Sequence, residues 1–131
     1  MRRGRTLNTL PTVVVVDNNA SVRAALEALL KAVGYDVDTH ASAESFLQSG
    51  RLSSTDCLLL DVRMSGMSGV ELQEHLARLG ARIPIVFMTG SAGASVRSQA
   101  LSAGAVECLE KPFSKEALLG AIDRALRSTS R

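Results

Sequence analysis

Five residues of this 131-residue chain have the types and the placing to act together. Asp17 and Asn18 follow the run Val13-Val14-Val15-Val16, and Asp61 follows Leu58-Leu59-Leu60. Thr89 follows Val86-Phe87-Met88, and Lys111 comes soon after Val106-Glu107-Cys108-Leu109. Two carboxylates, an amide, a hydroxyl and an ammonium are the groups that phosphoryl transfer uses. Oxygen ligands hold a magnesium ion, a carboxylate attacks phosphorus, and donors neutralise the phosphoryl oxygens. Each residue alone has an ordinary reading: Asp17 as a cap, Thr89 as a satisfied strand hydroxyl, Lys111 as a solvated charge. The five in this order carry the argument, and Asp61 is the candidate nucleophile.

What must position them is a set of strands that end at one edge of a sheet. The four valines before Asp17 suit a central strand covered on both faces, because β-branched side chains pack well on a pleated surface. The apolar run over 55–61 reads the same way. Ile83–Thr89 is a further strand, with Pro84 at its start, where proline is tolerated, and Val106–Leu109 is the last. Tyr35–His40 alternates and predicts an edge strand. Helical spacing fills the intervals. Val22, Ala25, Leu26, Leu29, Leu30 and Val33 form one stripe, with Asn19 as N-cap and Gly34 as the stop. Ser42 caps a short helix through Gln48, ended by Gly50. A third helix runs from Ser68 to about Leu79 and stops at Gly80. A weakly apolar helix, about Ser95 to Ala103, has Val96 and Leu101 as its larger anchors. Ser114 caps the last helix, with Glu116 in its first turn.

Five strands, each followed by a helix, predict an α/β fold: a doubly wound parallel sheet with helices on both faces and right-handed crossovers. Ligands in such sheets bind at the carboxyl ends of the strands, where the five residues stand. The length suits one domain over 11–128, with loose tails at 1–10 and 129–131. With 46% apolar and 21% charged residues, the chain should fold and stay soluble. A net charge of +2 and only 3% aromatics argue against a nucleic-acid surface and base-stacking platforms. Cys57 and Cys108 fall in expected strands with no metal-binding spacing, which reads as reduced core thiols in a cytoplasmic protein. No stretch is long and apolar enough to span a membrane, and no signal peptide is evident.

With these residues in place, the chain resembles the receiver domain of two-component response regulators, and most of all the FixJ-like group. Asp61-Val62-Arg63-Met64, Met88-Thr89-Gly90 and Glu110-Lys111-Pro112-Phe113 carry the resemblance, which covers roughly residues 11–128. It implies a flavodoxin-like sheet of strand order 2-1-3-4-5. It implies that Asp61 accepts a phosphoryl group from a sensor histidine kinase or a phosphotransfer protein. It makes Asp17, Asn18, Asp61 and the backbone carbonyl of Arg63 the magnesium ligands. Thr89 would hydrogen-bond the phosphoryl group, Lys111 would pair with its oxygens, and Pro112 would follow a cis peptide. The signal would leave as a surface change over the fourth helix, fifth strand and fifth helix, which is also a candidate homodimer face. Such a domain assists its own phosphorylation and dephosphorylation but is a signalling domain, not an enzyme acting on a separate substrate.

The chain departs from the family at three places. Asn18 stands where a second aspartate is usual, so magnesium binding is expected to be weak. Ser65 stands where proline is usual in the turn after Asp61. Cys108 stands where an aromatic ring normally swings inward, so the loop Gly90–Ala94 is expected to move more than position 108. The rival reading is a degenerate receiver, a protein-interaction module that works without phosphorylation. Neither reading puts nucleic acid or membrane in direct contact with this chain.

Overall fold

The computed structural model describes residues 10–90 and 94–128. The expected tails at 1–9 and 129–131, and the middle of the expected loop at 91–93, lie outside the described residues. Five strands alternate with five helices: β1 (Thr12–Val16), α1 (Ala20–Val33), β2 (Asp36–His40), α2 (Ala43–Gln48), β3 (Cys57–Asp61), α3 (Gly69–Arg78), β4 (Ile85–Thr89), α4 (Ala94–Ser102), β5 (Glu107–Glu110) and α5 (Lys115–Ser128). A 3₁₀ turn at Leu52–Ser54, which the sequence reading did not anticipate, precedes β3.

All pairings are parallel, and the order is β2-β1-β3-β4-β5. Two apolar layers cover the sheet. On one face Val13, Val15, Leu59 and Met88 pack with Leu26 and Leu30 of α1 and with Leu118, Ala121, Ile122 and Ala125 of α5. On the other, Val14, Leu58, Leu60 and Phe87 pack with Phe46 of α2, Leu72 and Leu76 of α3, and Ala100 of α4. β1, β3 and β4 are covered on both faces, so they read as near-continuous apolar runs. Every residue of β3 is buried, Asp61 included.

The element ends follow local chemistry. Asn19 caps α1 by accepting the Val22 N–H at 3.1 Å. Gly34 closes that helix in the left-handed region at φ 118°. Ser68 and Glu71 make a reciprocal capping box on α3, and Ser114 accepts the Ala117 N–H at the start of α5.

Where the elements differ from expectation, the reasons are physical. β3 starts at Cys57, not 55, because Asp56 turns its carboxylate back onto the Thr12 N–H at 2.8 Å. β4 starts at Ile85, not 83, after Pro84, which has no N–H for the ladder. β5 and α4 each shift by one residue. On α1, Ala25 and Val33 are exposed, so the buried stripe is narrower than the spacing implied. On α4 the fully buried side chain is Ala100, while Val96 and Leu101 are only half-buried. Cys57 and Cys108 are free and buried, as expected. Among the described residues, no helix is long and apolar enough to cross a membrane.

Candidate functional site at the carboxyl edge of the sheet

The ends of β1, β3, β4 and β5 meet at one edge, because the register is parallel with little stagger. Val16 stands opposite Leu60, Asp61 opposite Met88, and Thr89 opposite Glu110. Asp17, the residue after β1, is fully buried. Its Oδ1 accepts the Asn19 N–H at 2.8 Å, and its Oδ2 accepts Lys111 Nζ at 2.9 Å. The same ammonium lies 3.7 Å from Asp61 Oδ1. Lys111 is aimed there by its own backbone, whose N–H donates to the Thr89 carbonyl at 2.7 Å, and the Lys111–Pro112 peptide is cis.

Asp61 is 7% exposed. Burial pushes its carboxyl above the ordinary value, and the neighbouring Asp17 carboxylate pushes the same way. Lys111 and the nearby backbone N–H of Arg63 act against that rise without cancelling it. Thr89 is buried on the adjacent strand, and its hydroxyl has no hydrogen-bond partner among the described residues. A buried hydroxyl left unpaired is costly, so this one marks a place for an acceptor oxygen.

The sequence-chosen residues therefore divide. Asp17, Asp61 and Lys111 form one ion-paired cluster, and Thr89 lies beside it on the adjacent strand. Asn18 sits exposed on the rim, next in the chain to Asp17. Arg63 contributes backbone, and its side chain is exposed. Asp17, Asp61, the Asn18 amide and the Arg63 carbonyl are all hard oxygen donors, which suits magnesium. Among the described residues no three His, Cys, Asp or Glu side chains converge as a metal site. The donor set thus fits the ion in type, with two carboxylates to supply its charge.

Sequence reasoning missed the residues that hold these groups in place. Arg23 Nη1 donates to the Asp17 backbone carbonyl at 2.7 Å, and the Asp17 N–H donates to the His40 carbonyl at 3.1 Å. Gly69 starts α3 hard against β3. A Cβ there would overlap the Asp61 carbonyl oxygen and stand 3.0 Å from the Phe87 ring. Its place directly after the Ser68 cap was a readable signal for a close helix–strand approach.

The response regulator receiver domain profile matches residues 13–123. The chain belongs to that family. It is 41% identical over 115 residues to the response regulator protein TodT of Pseudomonas putida, covering 88% of this chain and 51% of TodT. It is 40% identical over 114 residues to the transcriptional regulatory protein FixJ of Rhizobium meliloti, covering 87% of this chain and 56% of FixJ. The chain thus spans about half the length of these curated relatives. Among solved structures, the FixJ-N crystal structure superposes with a TM-score of 0.83 at 36% identity, covering 92% of this chain and 97% of that one. The response regulator StyR gives a TM-score of 0.86 at 45% identity, covering 93% of this chain and 62% of StyR. This receiver domain has the flavodoxin-like strand order that the resemblance implied, and its place is in two-component signalling.

Proposed function

We propose that Asp61 is the phosphoacceptor of this receiver, and that Lys111 and Thr89 are the groups that receive the phosphoryl oxygens. The observation that carries the reading is the Lys111 ammonium set between the Asp17 and Asp61 carboxylates, beside the unpartnered Thr89 hydroxyl. A carboxylate oxygen of Asp61 attacks the phosphorus of a phosphohistidine. The new O–P bond forms as the N–P bond breaks, and the histidine leaves with the electron pair. Lys111 then shifts its charge toward the phosphoryl oxygens, and Thr89 donates its hydroxyl to one of them. Hydrolysis of the acyl phosphate returns Asp61, so the domain assists both halves of its own cycle.

Asp17, Asn18, Asp61 and the Arg63 carbonyl would hold magnesium. When bound, the ion neutralises charge on the transferring group. The kinase or phosphotransfer protein is the natural donor, and a cytoplasmic location goes with it. The output surface is α4, β5 and α5, also the proposed homodimer face. There Glu107 lies between Arg97 of α4 at 3.4 Å and Arg124 of α5 at 3.3 Å.

Labelling by acetyl phosphate with and without magnesium tests the reading. A metal-dependent mass gain mapped to Asp61 supports it, and a label elsewhere defeats it. Asn18 brings an oxygen to the metal but no charge. A unit charge at ~4 Å is worth about 4 kcal/mol at an effective dielectric near 20, before solvation offsets part of it. Asn18→Asp is therefore expected to tighten magnesium binding by roughly one to two orders of magnitude, at about 1.4 kcal/mol per tenfold. Calorimetric titration of both forms checks this, and equal affinities would remove Asn18 from the metal site.

A further inference from the structure

The loop that follows the acceptor strand is fixed at its two ends by backbone. The Val62 N–H donates to the Met88 carbonyl, and the Gly69 N–H donates to the Val62 carbonyl, both at 2.9 Å. The capping box closes the helix side. Between these ends run Arg63-Met64-Ser65-Gly66-Met67, with no proline to restrict them and with Gly66 at φ 76°. Among the described residues, one hydrogen bond reaches this middle from another element. The Met67 N–H donates to Glu44 Oε2 at 2.9 Å. The same oxygen closes over Gly66, where a Cβ would come within 2.9 Å of it. Held by that N–H, the Glu44 carboxyl lies below the usual carboxylate range.

Glu44 belongs to the first turn of α2, and that turn is also tied toward the other carboxylate. Ser45 Oγ lies 2.8 Å from His40 Nδ1, and the His40 carbonyl accepts the Asp17 N–H. The fully buried Phe46 sits edge-on to the His40 ring, 5.8 Å between centroids. One turn of helix therefore spans from the end of β2, which holds Asp17, to the loop after Asp61.

We propose that Glu44 is a positioning residue for the acceptor site. Its carboxylate holds the loop so that the Arg63 backbone stays close beside the Asp61 carboxylate. Glu44 touches neither Asp61 nor a phosphoryl group. It acts through the loop backbone, and its effect on phosphorylation rests on the reading of Asp61 as acceptor. A shift of ~1 Å in a positioned group can cost up to about a hundredfold in rate. Loss of this one tie, with both loop ends intact, is expected to cost about tenfold.

The test uses Glu44→Ala, which removes the acceptor oxygens, and Glu44→Gln, which keeps one. Amide exchange on the full chain is read by NMR at Met67 and at Arg63. In Glu44→Ala both amides are expected to exchange about tenfold faster, and in Glu44→Gln Arg63 stays near the wild-type rate. Faster exchange at Met67 alone, with Arg63 unchanged, overturns the proposal. Acetyl phosphate labelling is expected to slow about tenfold in the Ala variant, with magnesium half-saturation raised, and to recover in the Gln variant. A merely structural role would lower the melting temperature and leave both readouts unchanged below the melting range, and that result also overturns the proposal. If the wild-type protein takes no label on Asp61, the acceptor reading fails, and the Arg63 exchange still decides the positioning.

Discussion

Two of the exits from the sheet edge beside the site, after β3 and after β4, are built differently. The exit from β3 is crowded. Gly69 packs against the Asp61 backbone with no room for a methyl group, and the loop is tied to β4, α2 and its own capping box. At the first residue after β4 the described structure leaves room. Among the described residues, a Cβ on Gly90 would meet nothing within 4 Å. The helix that follows, α4, buries one described side chain fully, Ala100. Beside the packing of Ala100 and Val96 on the sheet, polar ties hold it: Gln73 Nε2 of α3 donates to the Ala100 carbonyl at 3.3 Å, and Arg97 donates through Nη1 to the Cys108 carbonyl at 2.5 Å and pairs through Nη2 with Glu107 at 3.4 Å. Polar ties of this kind each contribute about 1 kcal/mol net, so α4 can shift at low cost while Asp61 stays where it is. The contrast separates a fixed strand end, carrying the proposed acceptor, from a helix that can move as a proposed reporter.

The largest expected effect compares the two strand ends directly. Asp61→Asn keeps the shape of the side chain and is expected to abolish labelling. Thr89→Ala is expected to slow it about tenfold or more, because one donor to the phosphoryl oxygens is lost, while stability changes by less than ~1 kcal/mol, the hydroxyl having no partner to lose. Quantitative phosphoryl incorporation decides. Residual label on the Asn variant, or none on the Ala variant, would erase the distinction between acceptor and reporter.

Next comes the same substitution at two glycines. Gly69→Ala forces a Cβ onto backbone and is expected to cost about 3 kcal/mol, a large share of a typical domain stability of ~5–15 kcal/mol. Gly90→Ala enters open space and is expected to gain about 0.4–1 kcal/mol by stiffening the unfolded chain. Urea midpoints give both values, and similar costs at the two positions would mean that the β4 exit is as tightly packed as the β3 exit.

Smaller effects should come from the ties on α4. Gln73→Met keeps the volume, removes the bond to Ala100 and also removes a buried Oε1 that lacks a partner. Stability is expected to stay within about 1 kcal/mol, while amides of α4 exchange faster. Arg97→Ala should do the same and should also free Glu107 on one side. Unchanged exchange in both variants would leave the polar ties without a role in holding α4.

The smallest effect follows from the charge held at the fixed exit. Burial first, and Asp17 second, raise the Asp61 carboxyl above its ordinary value. The folded chain therefore keeps this proton to higher pH than the unfolded chain does. Stability falls as pH climbs from the ordinary carboxylate range through the folded value, and returns on acidification. Asp61→Asn cannot ionise. It is expected to be more stable than wild type at pH 7, with the margin closing as pH drops below the ordinary carboxylate range. Urea midpoints across that interval show it, and a margin independent of pH would contradict it.

Much of this contrast lay beyond the sequence. Strands β1, β3 and β4 were legible because a strand covered on both faces needs an unbroken apolar run, and their last polar residues marked the edge. The helix caps Asn19, Ser42 and Ser114 were legible because each acts within three residues of itself. The pairing of Lys111 with Asp17 crosses 94 positions, so only the strand-end rule and the family resemblance brought the two together. The Glu44 and Gln73 ties span 23 and 27 positions and join elements through single hydrogen bonds. No periodicity encodes such contacts. On α4, side-chain size pointed to Val96 and Leu101, yet the helix lies close enough to the sheet that the small Ala100 takes the buried place.

The two thiols give the fold a built-in clock. Cys57 opens the central strand β3, and burial, with Asp56 beside it, pushes its thiol up to about 12. Cys108 lies on the edge strand β5, its thiol also raised by burial, with Arg97 acting against that rise. Alkylating reagents attack the thiolate, so neither sulfur reacts while the sheet stays closed. The reaction at Cys108 then times the peeling of the β5 edge, and the reaction at Cys57 times the opening of the whole sheet. The interval between the two measures how far the reporter half of the molecule comes apart before the acceptor half does.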